Sequence, residues 1–170
     1  MHKRRIYDEE SHAHFVTFSC YRRRRLLDHD LAKQIVLSVL SGQLHKQNSK
    51  CVGFVVMPNH VHAILWFPKP NQLSKFMKLW KQQSSLCIKN FLRERLVKYA
   101  ETIDLTEPIW QGGYYDFNLF SEKKILEKLQ YMHQNPVIRN LVSKDVDWHW
   151  SSARYYESRE NVGVPVEWIE

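Results

Sequence analysis

The chain is poor in cysteine, glycine, long apolar runs and negative charge. Its three cysteines, Cys20, Cys51 and Cys87, are odd in number, far apart and contain no C-x-x-C pair. That excludes a disulfide framework and a four-cysteine zinc site, and points to reduced thiols. Only five glycines occur in 170 residues, which excludes a linker-rich or low-complexity chain. No apolar run approaches the roughly 20 residues a membrane helix needs. The opening MHKRRIYDEE has charges but lacks the apolar stretch of a secretory signal. There is no internal repeat, and the expectation is a cytoplasmic globular protein without a membrane partner. Acidic residues number 18 against 25 lysines and arginines, a formal net charge of +7, which suits a polyanionic partner. What is present is an ordinary globular mixture, 44% hydrophobic and 25% charged, enough for the core of one domain.

HAHFVTFSCY, residues 12–21, alternates aromatic and β-branched residues and reads as a strand. The next stretch spaces Leu31, Ile35, Val36, Val39 and Leu40 at a helical period. KCVGFVVM and HVHAILWF are two further strands, and Pro58-Asn59 between them suits a tight turn, so they should form a hairpin. A long helix follows, with Leu73, Phe76, Met77, Trp80, Cys87 and Phe91 on one face. IWQGGYYDFNLF reads as a fourth strand. SEKKILEKLQYMHQNP reads as a helix capped by Ser121 and closed by Pro136. Its core stripe is Ile125, Leu126, Leu129 and Met132. The order β-α-β-β-α-β followed by a helix predicts an α+β fold with a ferredoxin-like antiparallel sheet. Residues 1–142 would carry the chemistry, and 143–170 would be an aromatic tail packed on that domain.

His60 and His62 stand two apart on a strand, so both project from one sheet face and can hold one divalent ion. The spacing is not diagnostic, because His12 and His14 repeat it and core histidines are common. On the last helix Tyr131 shares a side with Lys124, Lys128 and Asn135, while His133 faces elsewhere. A phenol among ammonium groups suits phosphoryl transfer, but phenols ionise only near pH 10 and need help. A metal at His60 and His62 would supply it, with Asn135 as a third, oxygen ligand. The alternative is a solvated amphipathic face.

Lys75, Lys78, Gln82, Ser85, Lys89 and Arg93 form a second stripe on the long helix, and residues 71–99 hold seven Lys or Arg against one Glu. Such a stripe either tracks phosphates or is simply solvated. Arg22, Arg23, Arg24 and Arg25 are a denser cluster that cannot all be paired locally, which favours nucleic-acid contacts. Trp148, Trp150, Tyr155 and Tyr156 either stack on unpaired bases or dock the tail, with docking preferred. Tyr114 and Tyr115 are adjacent and face opposite ways on a strand, which disfavours a two-tyrosine mechanism.

MPNHVHAI resembles the HUH motif, and YMHQNPV resembles the tyrosine segment of single-tyrosine HUH transposases. IWQGGYYD and WHWSSARYY resemble segments of the REP-associated tyrosine transposases, relatives of insertion-sequence transposases. The resemblance runs from about residue 12 to residue 156. It implies a single-stranded DNA endonuclease and strand transferase acting on hairpin DNA through a 5′-phosphotyrosine intermediate, as a monomer or homodimer. Tyr131 would be the nucleophile, and His60, His62 and Asn135 would hold Mg²⁺ or Mn²⁺. Arg22–Arg25, Lys75, Lys78, Lys89, Arg93, Lys124 and Lys128 would contact DNA. The chain departs from the family's usual pattern at Asn140, where glycine is common, and at Gly113, where a basic residue is common. Asparagine tolerates a left-handed turn, so the backbone at 140 should survive. The rival reading is a non-catalytic nucleic-acid-binding protein on the same fold, which metal-dependent nicking would exclude.

Overall fold

The computed structural model describes residues 12–170; the charged opening segment lies outside them. Its strands are β1 (Ala13–Ser19), β2 (Lys50–Val56), β3 (His60–Trp66) and β4 (Tyr115–Leu119). Its helices are α1 (Asp30–Lys46), α2 (Leu73–Arg95), α3 (Val97–Ala100), α4 (Glu122–Ile138) and α5 (Ala153–Ser158). The sheet runs β2-β3-β1-β4 with every neighbouring pair antiparallel, the ferredoxin-like arrangement read from the element order.

Alternation along the strands gives the sheet two apolar faces. Val16, Phe18, Phe54, Val56, Val61, Ala63 and Leu65 pack with Val36, Leu40, Phe76 and Trp80 of α1 and α2. Ala13, Phe15, Val55, Ile64 and Leu119 pack on the other side with Ile125, Leu129 and Met132 of α4. The tyrosine-bearing helix therefore has one sheet face largely to itself. Gly53 sits at a register shift in β2 and lets α4 approach, since a Cβ there would lie 2.3 Å from Leu129 Cδ2. The outer edge of β2 is covered by the chain after α4. Val56 N–H donates to Trp150 O, Trp148 Nε1–H donates to Val56 O, and Glu167 N–H donates to Cys51 O.

Several details differ from the sequence reading. Cys87 is exposed, and Ser84 and Ile88 take its place in the core. Leu126 is 52% exposed, because the buried stripe of α4 runs through Ile125, Leu129, Met132 and His133 instead. The last helix is not closed by Pro136 but runs to Ile138. A proline so close to the C-terminus forfeits one hydrogen bond without ending the helix. Asn140 then takes a left-handed φ of 57° and Leu141 N–H returns to Pro136 O, so the turn survives without glycine. The fourth strand starts only at Tyr115, after Gly113 turns the chain with a φ of 74°.

Candidate active site

Met57, Pro58 and Asn59 join β2 to β3 in a turn closed by Met57 N–H donating to His60 O at 2.8 Å. In the register of β1 with β3, His60 lies opposite Ser19 and His62 opposite Thr17. Both imidazoles thus leave the sheet on the α4 side, 4.7 Å apart between ring centroids. They are almost fully buried, at 6% and 4% exposure.

Each ring is oriented by a partner on its Nδ1. His60 Nδ1–H donates to Asn59 Oδ1 at 2.7 Å. His62 Nδ1–H donates to Thr17 Oγ1 at 2.7 Å, while Asn135 Nδ2–H donates to His62 Nε2 at 3.1 Å. These bonds leave the lone pair of each ring on Nε2. Phe15 stacks on His62 at 5.3 Å. Burial, then the charges of Arg23 and Arg139, lower the pKa of His60 to about 4. Burial, then His60 and Lys128, lower that of His62 to about 3. Both rings are neutral at physiological pH, as ligands must be.

The helix α4 begins at Ser121, whose Oγ accepts from Lys124 N–H at 3.2 Å. Ten residues after Ser121, Tyr131 projects from the helix, and Asn135 follows one helical turn later. The Tyr131 ring lies 5.6 Å from the His62 ring of the same chain and is 48% exposed. Asn135 is 6% exposed and fills the space beside His62. Lys128 Nζ lies over Phe15, Phe117 and Tyr131 at 4.8, 5.3 and 5.5 Å. Lys124 instead pairs with Glu127 at 3.2 Å. His133 is buried elsewhere, 2.8 Å from Ser152 Oγ.

Of the residues read as DNA contacts, Lys75, Lys78 and Arg93 are exposed and Lys89 is half-buried on α2. Within the arginine run three members carry carboxylates: Arg22 and Arg24 share Glu107, and Arg25 pairs with Asp28. Local pairing is therefore more complete than the sequence suggested, because a loop from residue 101 onward brings Glu107 to the run. Thr17 and Asn59 escaped the sequence reading as members of the site. Asn59 was visible only as a turn residue, and Thr17 needed the strand register to be known. His14 meets Asp116 at 3.1 Å on the opposite sheet face, away from this site.

The donor set fits a divalent ion. Two neutral imidazoles present Nε2, each held by a hydrogen bond on the other nitrogen, the usual support for a ligating histidine. The Asn135 amide is already at Nε2, and exchanging its two ends would offer an oxygen. Among the described residues no group of three His, Cys, Asp or Glu could close a metal site. With only two or three protein ligands, a divalent ion held here would have positions left for other oxygen ligands.

A family model described as "Transposase IS200 like" matches residues 8–135. An uncharacterized protein of Haemophilus influenzae is 26% identical over 146 residues, covering 74% of this chain and 80% of that protein. A solved REP-associated tyrosine transposase bound to a REP hairpin aligns over 98% of this chain and 93% of its own, with a TM-score of 0.74 and 20% identity. A protein of Deinococcus radiodurans proposed to be a transposase aligns over 79% and 97%, with a TM-score of 0.52 and 20% identity.

Proposed function

Because the chain belongs to the family of IS200-like transposases, we propose that it is a metal-dependent endonuclease and strand transferase for single-stranded, hairpin-forming DNA. The observation that carries this reading is the meeting of Tyr131, His60, His62 and Asn135 in one chain. None of these side chains needs a second copy of the protein, so a monomer suffices for cutting.

Tyr131 Oη attacks the scissile phosphorus in line with the leaving 3′ oxygen. The tyrosine–phosphorus bond forms and the bond to the 3′ oxygen breaks, leaving a 5′-phosphotyrosine and a 3′-OH. Rejoining reverses the step with another 3′-OH as nucleophile, and the bond energy is kept throughout. Mg²⁺ or Mn²⁺ held by His60, His62 and Asn135 would polarise the phosphate and stabilise its growing charge. Thr17 and Asn59 keep the two rings aimed. Lys128, held over the Tyr131 ring, adds a positive charge beside the reacting centre. Phe15 and Ile64 wall the site from below.

Hairpin binding is extended to this chain from the solved relative that holds a REP hairpin. The exposed Lys75, Lys78 and Arg93 of α2, half-buried Lys89, and the arginine run would meet the backbone. Among the described residues no helix is long and apolar enough to cross a membrane. A place in the cytoplasm, beside the DNA, follows from the activity.

The test is a covalent-adduct assay with labelled hairpins made from DNA flanking the protein's own gene. Wild type with Mg²⁺ or Mn²⁺ gives a protein–DNA band that survives denaturation. Tyr131→Phe binds the hairpin and gives no band. An undiminished band from that variant rejects the assignment, and binding without any nicking by wild type favours a non-catalytic DNA-binding protein.

A further inference from the structure

Two consecutive arginines adopt a conformation that side-chain-bearing residues avoid. Arg22 has φ 54° and ψ 26°, and Arg23 has φ 56°. Glycine, asparagine and aspartate are the usual occupants of such positions. Backbone strain of this kind persists where the surroundings enforce it, and it clusters at functional sites. The surroundings here are explicit. Cys20 N–H donates to Asn59 O at 2.8 Å, Leu27 N–H to Pro58 O at 3.0 Å and Tyr21 N–H to Ile109 O at 2.8 Å. Arg23 N–H folds back on Cys20 O at 2.9 Å. The turn is thus bolted to the same Pro58-Asn59 hairpin that presents His60.

The left-handed pair also sorts the arginines by direction. Arg22 and Arg24 straddle Glu107 at 3.4 and 3.1 Å, and Arg24 further donates to Pro108 O at 3.1 Å. Arg25 grips Asp28 through two bonds of 2.8 Å. Arg23, between them, is exposed and has no carboxylate partner among the described residues. Its charge acts instead on His60. Three guanidinium groups are tied into the scaffold, while the fourth, without a carboxylate partner among the described residues, stands on a turn hydrogen-bonded to the hairpin that carries His60.

We propose that Arg23 is a catalytic residue whose guanidinium contacts a non-bridging oxygen of the phosphate attacked by Tyr131. This rests on the nuclease reading above and goes beyond it, because it separates Arg23 from the general DNA contacts. As the Tyr131 Oη–phosphorus bond forms and the bond to the 3′ oxygen breaks, charge collects on the non-bridging oxygens. The phenol proton leaves to water and the departing 3′ oxygen takes one from water. Arg23 moves no proton; it stabilises the crowded, more highly charged phosphorus centre. A planar, permanently charged fork suits that task better than a lysine.

The experiment measures single-turnover adduct formation at saturating hairpin, beside hairpin affinity and thermal stability. Wild type first has to form an adduct that Tyr131→Phe lacks; without it, the nuclease reading itself fails and this proposal falls with it. Given that adduct, Arg23→Ala slows its formation about 100-fold or more, far more than it weakens hairpin affinity. Arg23→Gly loses the same activity yet melts at a higher temperature, because glycine accepts the left-handed turn without strain. Arg23→Lys recovers part of the rate. The proposal is overturned if Arg23→Ala forms the adduct at the wild-type rate at saturation, or if its defect lies in affinity alone.

Discussion

Replacing Gly53 by alanine should force α4 away from β2. The added methyl would lie 2.3 Å from Leu129 Cδ2, 3.1 Å from Ser152 Oγ and 3.2 Å from Met132 Cε. Carbon atoms in contact normally sit about 3.5–4.0 Å apart, so Leu129 has to give by more than an ångström. It is 5% exposed and packed between sheet and helix, so turning its side chain displaces other core groups. Overpacking of this kind costs about 1–3 kcal/mol. The unfolded chain gains stiffness from alanine, which offsets about 0.4–1 kcal/mol. The difference of those two ranges is a net loss of roughly 0–2.6 kcal/mol, centred a little above 1 kcal/mol. Urea unfolding with an unchanged slope measures it. The decisive comparison uses Leu129→Ala, which alone costs about 2–5 kcal/mol but removes the clashing atom. In that background Gly53→Ala should cost less, since only the milder contacts with Ser152 Oγ and Met132 Cε remain, a coupling of about 1 kcal/mol or more. Equal costs in the two backgrounds would refute the steric argument. Because α4 carries Tyr131, adduct formation by Gly53→Ala should also fall.

Thr17→Val removes the acceptor of His62 Nδ1–H, so the Mn²⁺ needed for half-maximal cutting should rise about 10- to 100-fold. An unchanged Mn²⁺ titration would remove Thr17 from the site. Acid stability depends on three buried histidines, His60, His62 and His133, whose pKa values are lowered to about 4, about 3 and about 4. In the unfolded chain these groups take up protons near pH 6.5, before the folded chain does. Stability is therefore full above about pH 6.5 and drops toward pH 4 by about 1.4 kcal/mol per unit for each histidine. Urea midpoints that stay level from pH 7 to pH 5 would contradict the burial of these rings.

The sequence reading reached the sheet and its order because alternation and the Pro58-Asn59 turn are local signals. It reached Tyr131 and Asn135 because a helical period places them on one side, whatever the helix packs against. Three features were hidden for a common reason. Thr17 joins the site only through its register opposite His62. Glu107 neutralises two arginines more than 80 positions earlier. Cys87 leaves the core, and Ser84 and Ile88 of α2 face it instead. Each depends on where distant segments meet, which periodicity within one segment does not encode. The Gly53 contact is the same kind of fact: glycine in a strand signals a close approach, but not which helix makes it.

The charge balance around the histidines has its own consequence. The proposed donor set would be two neutral imidazoles and an amide, with Arg23 and Arg139 acting on His60 and Lys128 acting on His62. Among the described residues no group of three His, Cys, Asp or Glu is placed to hold a metal ion there. A divalent cation entering the free protein is repelled by its neighbours and held by few, uncharged ligands. A phosphate at the same place reverses the field and supplies an oxygen ligand. Metal and DNA should therefore strengthen each other's binding, and by linkage the two factors must be equal. Tyr131→Phe, which should bind without cutting, permits the measurement: Mn²⁺ titrated with and without hairpin, and hairpin titrated with and without Mn²⁺. Mutual tightening of about 5- to 150-fold is the range such coupling spans. Equal Mn²⁺ affinity in the presence and absence of hairpin would mean that the phosphate does not sit at the histidine pair, and the site would have to be redrawn.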